Sequence, residues 1–246
     1  MSTASLAPTA PLTILRHRLR REVVDTPMIF GVVFALTMAI TLLVSMFTPV
    51  SISAWDLATQ FVRWYAAGLG VYVTAVYLPI YITHGYTRRA FLQQLPIFVA
   101  AATALAAVLV ALGYAVEHVV YRVAGWDQQL TSDHLFTVPT EFGLVALSFG
   151  LVILVYVVGG ALAGAAFYRN FLVGFALIPP LFGAAALTEV FRGGVPVPGS
   201  FPSWVIGSIE SAPVVATGVL AAGLVVVMGV LLWWLVRDLP IRSKPA

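Results

Sequence analysis

Six stretches of the chain are almost unbroken in apolar character: Met28 to Phe47, Phe61 to Ile82, Phe91 to Val116, Phe142 to Phe167, Phe171 to Val190 and Pro213 to Val236. A helix needs about 20 such residues to cross the hydrocarbon core of a bilayer, and each stretch meets that length. Charge, proline or glycine bounds each one. Open strands or irregular backbone would leave peptide groups unpaired in lipid, so the pattern predicts six transmembrane helices and an all-α membrane protein.

Ahead of the first stretch the pattern changes. Leu12, Leu15, Leu19 and Val23 fall within about 80° of one another on a helical wheel, bordered by Arg16 and Arg20. This predicts an amphipathic helix on the membrane surface, its arginine stems snorkelling. A basic tail that only sets topology is the alternative. Asp25 or Thr26 is expected to cap the first span, with Pro27 at its first helical position. Residues 1–10 are expected to be disordered and 11–246 to form one transmembrane domain, without an internal repeat or linker. The first span lacks a small-residue cleavage site and reads as a retained helix rather than a cleaved signal.

Composition agrees. The chain of 246 residues is 61% hydrophobic and 9% charged, with a mean hydropathy of +0.98. A soluble domain carries about 25% charged residues, so most of this surface is suited to lipid. The net charge of +3 matters less than its distribution. Ten of the thirteen basic residues lie in the N-terminal tail, beside Arg88 and Arg89, at Arg169, or in the tail with Arg237, Arg242 and Lys244. These are alternate loops on one side. The other side holds Arg63, Arg122 and Arg192 among Asp56, Asp127, Asp133, Glu141 and Glu210. The positive-inside rule then predicts a multi-pass protein of the cell (inner or plasma) membrane with both termini cytoplasmic, as an even number of spans requires.

Several chemistries are excluded. There is no cysteine, hence no disulfide, iron–sulfur cluster or thiolate zinc site. The only lysine is Lys244, and no glycine-rich loop ends in Lys-Ser or Lys-Thr, so the chain is not itself an ATPase. His17, His84, His118 and His134 are scattered without ligand spacing, and no metal site is expected. No span carries an intramembrane protease constellation, and no catalytic residue is assigned.

Other features are candidates for function. Between the second and third spans the chain reads Tyr81-Ile82-Thr83-His84-Gly85-Tyr86-Thr87-Arg88-Arg89-Ala90-Phe91. Gly85 permits a tight helix exit, Thr87 can cap the next helix, and two arginines project at the membrane surface. From physics alone a topology anchor is the simpler reading. Thr37, Thr41 and Ser45 share one face of the first span, and Thr74, Tyr77 and Tyr81 one face of the second. These stripes could line a substrate path, or be ordinary helix and interface packing. Glu117 and Glu189, near the outer ends of the third and fifth spans, mark either an external gate or exposed headgroup-level positions beside Arg122 and Arg192. Gly160 with Gly164, and Gly218 with Ala222, have the spacing of close helix packing. The segment from Phe191 to Glu210 is rich in proline and glycine turns and reads as amphipathic.

The Gly-x-Thr-Arg-Arg run at Gly85 to Arg89, six spans, an amphipathic N-terminal helix and cytoplasmic termini together resemble the ABC-2 type ABC transporter permease family. The likeness covers the layout of nearly the whole chain, with the loop as its one motif. It implies a type V exporter-like bundle in which Gly85, Tyr86, Thr87, Arg88, Arg89 and Phe91 form a coupling helix docked on a separate ATP-binding subunit. Leu12, Leu15, Arg16, Leu19, Arg20 and Val23 would belong to its connecting helix, and the outer segment would dip back into the membrane. A second permease copy or a sister permease completes the path. ATP and Mg are implied on the partner, with no cofactor on this chain and no nucleic acid among the partners. The implied activity is export of a hydrophobic or amphipathic substrate. A membrane interaction or immunity protein of the same fold is the alternative, and an intramembrane enzyme is disfavoured.

Overall fold

A computed structural model describes residues 12–131, 134–191 and 213–237, with side chains except those of 12–17, 182, 184–191 and 213. The expectations for residues 1–10, for the segment after Phe191, for the Glu189 side chain, and for the side chains of Leu12, Leu15 and Arg16 lie outside the described residues.

The described chain is helical: α1 (Leu12–Ser45), α2 (Ala54–Tyr72), a π-helical turn (Val73–Tyr77), α3 (Leu78–Thr83), α4 (Arg88–Ala124), α5 (Phe142–Arg169), α6 (Phe171–Phe191) and α7 (Pro213–Arg237). Five helical segments are long and apolar enough to cross a membrane: Arg18–Ser45, Ala54–Thr83, Arg88–Ala124, Phe142–Arg169 and Val214–Arg237. The predicted fifth span corresponds to α6, whose described apolar part runs from Phe171 to Leu181.

Two boundaries differ from expectation. No cap forms at Asp25 or Thr26; α1 runs on through Pro27, so the N-terminal amphipathic segment and the first span are one continuous helix. The residues around the proline explain how. Proline removes one helical hydrogen bond, but Thr26 is tied to Glu22 one turn back (3.0 Å) and to the Tyr65 hydroxyl (2.7 Å), which holds the turn together. The second span starts at Ala54 rather than Phe61, because Ser53 caps it by accepting from the Asp56 N–H.

Pro79 accounts for the π-helical turn. It has no N–H to give the carbonyl four residues back, and its ring crowds that carbonyl. The preceding turn widens, with the Leu78 N–H reaching Val73. Pro96 and the Pro179–Pro180 pair lie within continuous helices.

α5 is the hub, packing against α2, α4, α6 and α7. Its sequence is apolar all round, the mark of a helix buried on every side. α1 is peripheral: Val32, Leu36, Ile40 and Leu43 are exposed along it, as suits a lipid-facing helix. The α2–α5 contact is backbone on backbone. A Cβ at Gly160 would stand 2.1 Å from the Ala67 carbonyl oxygen, at Gly70 2.0 Å from that of Val157, and at Gly164 2.4 Å from the Thr74 hydroxyl. The Thr74 hydroxyl donates across this seam to the Ala161 carbonyl (2.8 Å). Gly218 meets nothing within 4 Å, so the second small-residue pair makes no such approach among the described residues.

The corner between α3 and α4 is closed by backbone hydrogen bonds. Gly85 adopts φ 84°, the Tyr86 N–H reaches the Tyr81 carbonyl and the Gly85 N–H that of Ile82, each at 3.0 Å. Thr87 then caps α4 through the Ala90 N–H (3.2 Å). Gly85→Ala would place a Cβ in the left-handed region and should lower stability by about 1–2 kcal/mol, read as a lowered melting temperature in detergent. An unchanged melting temperature would mean that the corner relaxes to another turn.

Candidate functional site

Arg18, Arg88, Arg89, Arg169 and Arg237 lie at one end of the bundle, here termed the basic end, where α1 and α4 begin and α3, α5 and α7 finish. The loop residues resembling a coupling helix divide into two sets. Gly85, Thr87 and Arg89 are exposed, and Tyr86 is half-buried. Phe91 is buried, its ring 5.7 Å from that of Tyr81, and anchors the corner from within. Arg88 reaches across to the last carbonyl of α7, at Arg237 (3.4 Å), where a cation opposes the negative end of the helix dipole. The corner is thereby tied to three helices.

Beside it, Arg18, Glu22 and Thr26 form one face of α1, turned towards α2. Arg18 pairs with Glu22 (2.6 Å), donates to the Tyr77 hydroxyl and lies over the rings of Tyr77 (4.2 Å) and Tyr72 (5.1 Å). Of the predicted apolar stripe, Leu19 packs against the core, whereas Val23 and Arg20 are exposed. The ion pair and hydrogen bonds of this stretch run through the polar face, with Leu19 the apolar contact beside them. The spacing of four residues between Arg18, Glu22 and Thr26 was the available signal.

The structure does not bring the two predicted path stripes together. Thr37 and Thr41 donate to the carbonyls of Val33 and Thr37 in their own helix, and Ser45 to that of Leu42. Thr74 is buried in the α2–α5 seam. Tyr77 and Tyr81 belong to the Arg18 cluster, their rings 6.3 Å apart.

At the opposite end lies a closed polar cluster. Glu117 is not exposed at headgroup level: it is fully buried and accepts from Ser53 Oγ (2.6 Å), the Trp55 N–H (2.8 Å) and Gln128 Nε2 (2.7 Å). Asp56 accepts from the Tyr114 hydroxyl (2.7 Å), from both the N–H (2.9 Å) and the hydroxyl of Thr131, and pairs with His134 Nε2 (2.8 Å). His134 stacks on Phe136 at 4.6 Å. Glu117 meets donors at the start of α2 and Asp56 stands in its first turn, where the helix dipole favours negative charge. The pairing of Ser53 with Gln129 backbone (2.8 Å) and the seating of Trp55 against Gly113 complete the closure. The cluster fastens the connection between α4 and α5 onto α2 and α4. The sequence signal for Asp56 was the Ser53-Ala54-Trp55-Asp56 cap spacing; His134 had none.

Compared with protein-family models, with curated proteins and with solved structures, the chain matches none.

Proposed function

We propose that the chain is a permease subunit of an ATP-driven transporter of ABC-2 type. In this reading six spans, α6 included, cross the cell membrane with the basic end in the cytoplasm. A separate ATP-binding subunit docks on the α3–α4 corner, and a second permease, identical or a sister, completes the path for a hydrophobic or amphipathic substrate. ATP and Mg bind on the partner.

The observation that supports this reading best is the construction of the corner. Left-handed Gly85, the Thr87 cap and the Arg88 link to α7 make a stiff element with Arg89 projecting from it. A load applied there moves α3, α4 and α7 together instead of bending a loop, as a device that transmits ATPase closure requires. The buried Asp56 and Glu117 clusters fit the same reading, holding the far end shut while the basic end is engaged.

The test is co-purification from native membranes with a P-loop ATPase. Arg89→Glu, which leaves the Arg88 link intact, should reduce recovery of the ATPase about tenfold, since opposed like charges at a docking surface cost several kcal/mol. An ATPase recovered equally well with the variant refutes the docking assignment. Absence of any ATPase favours the non-transporting interaction protein.

A further inference from the structure

The Arg18 cluster forms one wall of a cavity of about 420 Å³ at the basic end, between α1 and α3, lined also by Arg21, Tyr77, Tyr81, His84 and Tyr86. Its chemistry is unlike the rest of the bundle. Two guanidinium groups, an imidazole and three phenols converge on it, whereas the larger space between α4, α5 and α7 is lined by apolar residues. Arg18 is held rigidly by Glu22 below and by the Tyr72 and Tyr77 rings beside it, so its position is set before any ligand arrives. Arg21 is exposed, and its positive charge is additional to the Arg18–Glu22 pair. The Tyr81 ring, which lines the cavity, packs against those of Tyr77, Tyr86 and Phe91.

The remaining wall is apolar. Ile80 of α3 lines the cavity, and Val76 of the π-helical turn and Tyr72 at the end of α2 precede it at intervals of four residues, all exposed, at 44%, 38% and 42%. An anion-binding recess thus opens onto an uncovered apolar track that runs along a spanning helix. A small free anion uses only the recess, and an acidic protein segment has no need of the track. We infer that this cavity binds the phosphate head of an anionic amphiphile, with guanidinium and phenol donors on the phosphate oxygens and the chain of the amphiphile laid along Ile80, Val76 and Tyr72. The inference does not depend on the transport reading, because it requires only that this helix be in a membrane.

The experiment uses the full chain in nanodiscs of phosphatidylcholine and measures binding of a fluorescent phosphatidylglycerol, with fluorescent phosphatidylcholine as the neutral probe. Wild type should prefer the anionic probe about tenfold, as expected for charge-assisted bonds to phosphate. Arg21→Gln, at an exposed position, should remove most of that preference without disturbing the fold. Arg18→Gln combined with Glu22→Gln removes the buried pair as a unit and should remove the rest. Ile80→Ser should weaken the lipid probe but leave competition by inorganic phosphate unchanged. Equal affinity for the two probes, or full preference retained in Arg21→Gln and in the double variant, overturns the site. Inorganic phosphate that competes as strongly as the lipid, with no effect of Ile80→Ser, overturns the amphiphile. Displacement of the probe by polyglutamate but not by anionic lipid overturns it in favour of an acidic protein partner.

Discussion

Gly160→Leu will destabilise the bundle strongly. The side chain would enter a space where the Ala67 carbonyl oxygen stands 2.1 Å from the position of a Cβ, and that neighbour is backbone, which cannot rotate aside. Either α2 and α5 separate, or the Thr74–Ala161 hydrogen bond and the approach of Gly70 and Gly164 are lost with them. Overpacking of a well-filled core usually costs 1–3 kcal/mol, and an unyielding backbone places this site at about 3 kcal/mol or more. Against a total stability of about 5–15 kcal/mol that is a large fraction. The readout is the yield of monodisperse protein and its melting temperature in detergent, with Gly218→Ala, which meets nothing within 4 Å, as the control. A Gly160→Leu protein that melts with the control would show that the two helices do not meet through their backbones.

Glu117→Ala is expected to have the next largest effect. It leaves the Ser53 hydroxyl, the Trp55 N–H and the Gln128 amide buried without their acceptor. Each orphaned buried donor costs about 1–3 kcal/mol, and removal of one member of a buried charged cluster about 3–5 kcal/mol in all. Glu117→Gln keeps the shape and one acceptor oxygen and should lose about half as much. The loss should be local before it is global. With the start of α2 released from α4, the connection from Gly125 to Glu141 should become open to protease at temperatures where the helices persist. Equal protease resistance and equal melting temperature in wild type and Glu117→Ala would show that the cluster does not fasten this end.

Much of the fold was legible because the bilayer imposes a one-dimensional test. The third, fourth and last predicted spans lie within single helices, the second lies within the run from α2 through the π-helical turn to α3, and the first overlaps α1 but ends two residues beyond its last residue, Ser45. Most of these helices overrun their spans because backbone hydrogen bonding continues past the hydrocarbon edge. α4, at 37 residues, is about 55 Å long, well beyond the roughly 30 Å core. The corner at Gly85 was legible for a similar reason: glycine, threonine and the arginines act within a few residues of one another. The break expected at Pro27 failed because a contact distant in sequence, Tyr65 to Thr26, supports the turn that the proline weakens.

The polar positions inside the spans were the least legible. Periodicity placed Thr41 and Thr74 on stripes, but a hydroxyl on a stripe can face a path, its own carbonyl or a neighbouring helix, and only the neighbour decides. Thr74 faces α5 because Gly164 leaves room for it. Glu117 looked like a boundary residue until α2 supplied an N-terminus for it to accept from. His134 and Asp56, far apart in the chain, had nothing local to link them.

Hydropathy and charge along the sequence determined that the chain is helical, that it contains segments able to cross a membrane, and where most of them lie, since span length answers to bilayer thickness alone. The tertiary structure decided that α5 is the hub, that Arg18 rests among tyrosines at one end and that two carboxylates are sealed at the other. Those outcomes depend on shape and on donor–acceptor matching between residues tens of positions apart, which no local pattern encodes.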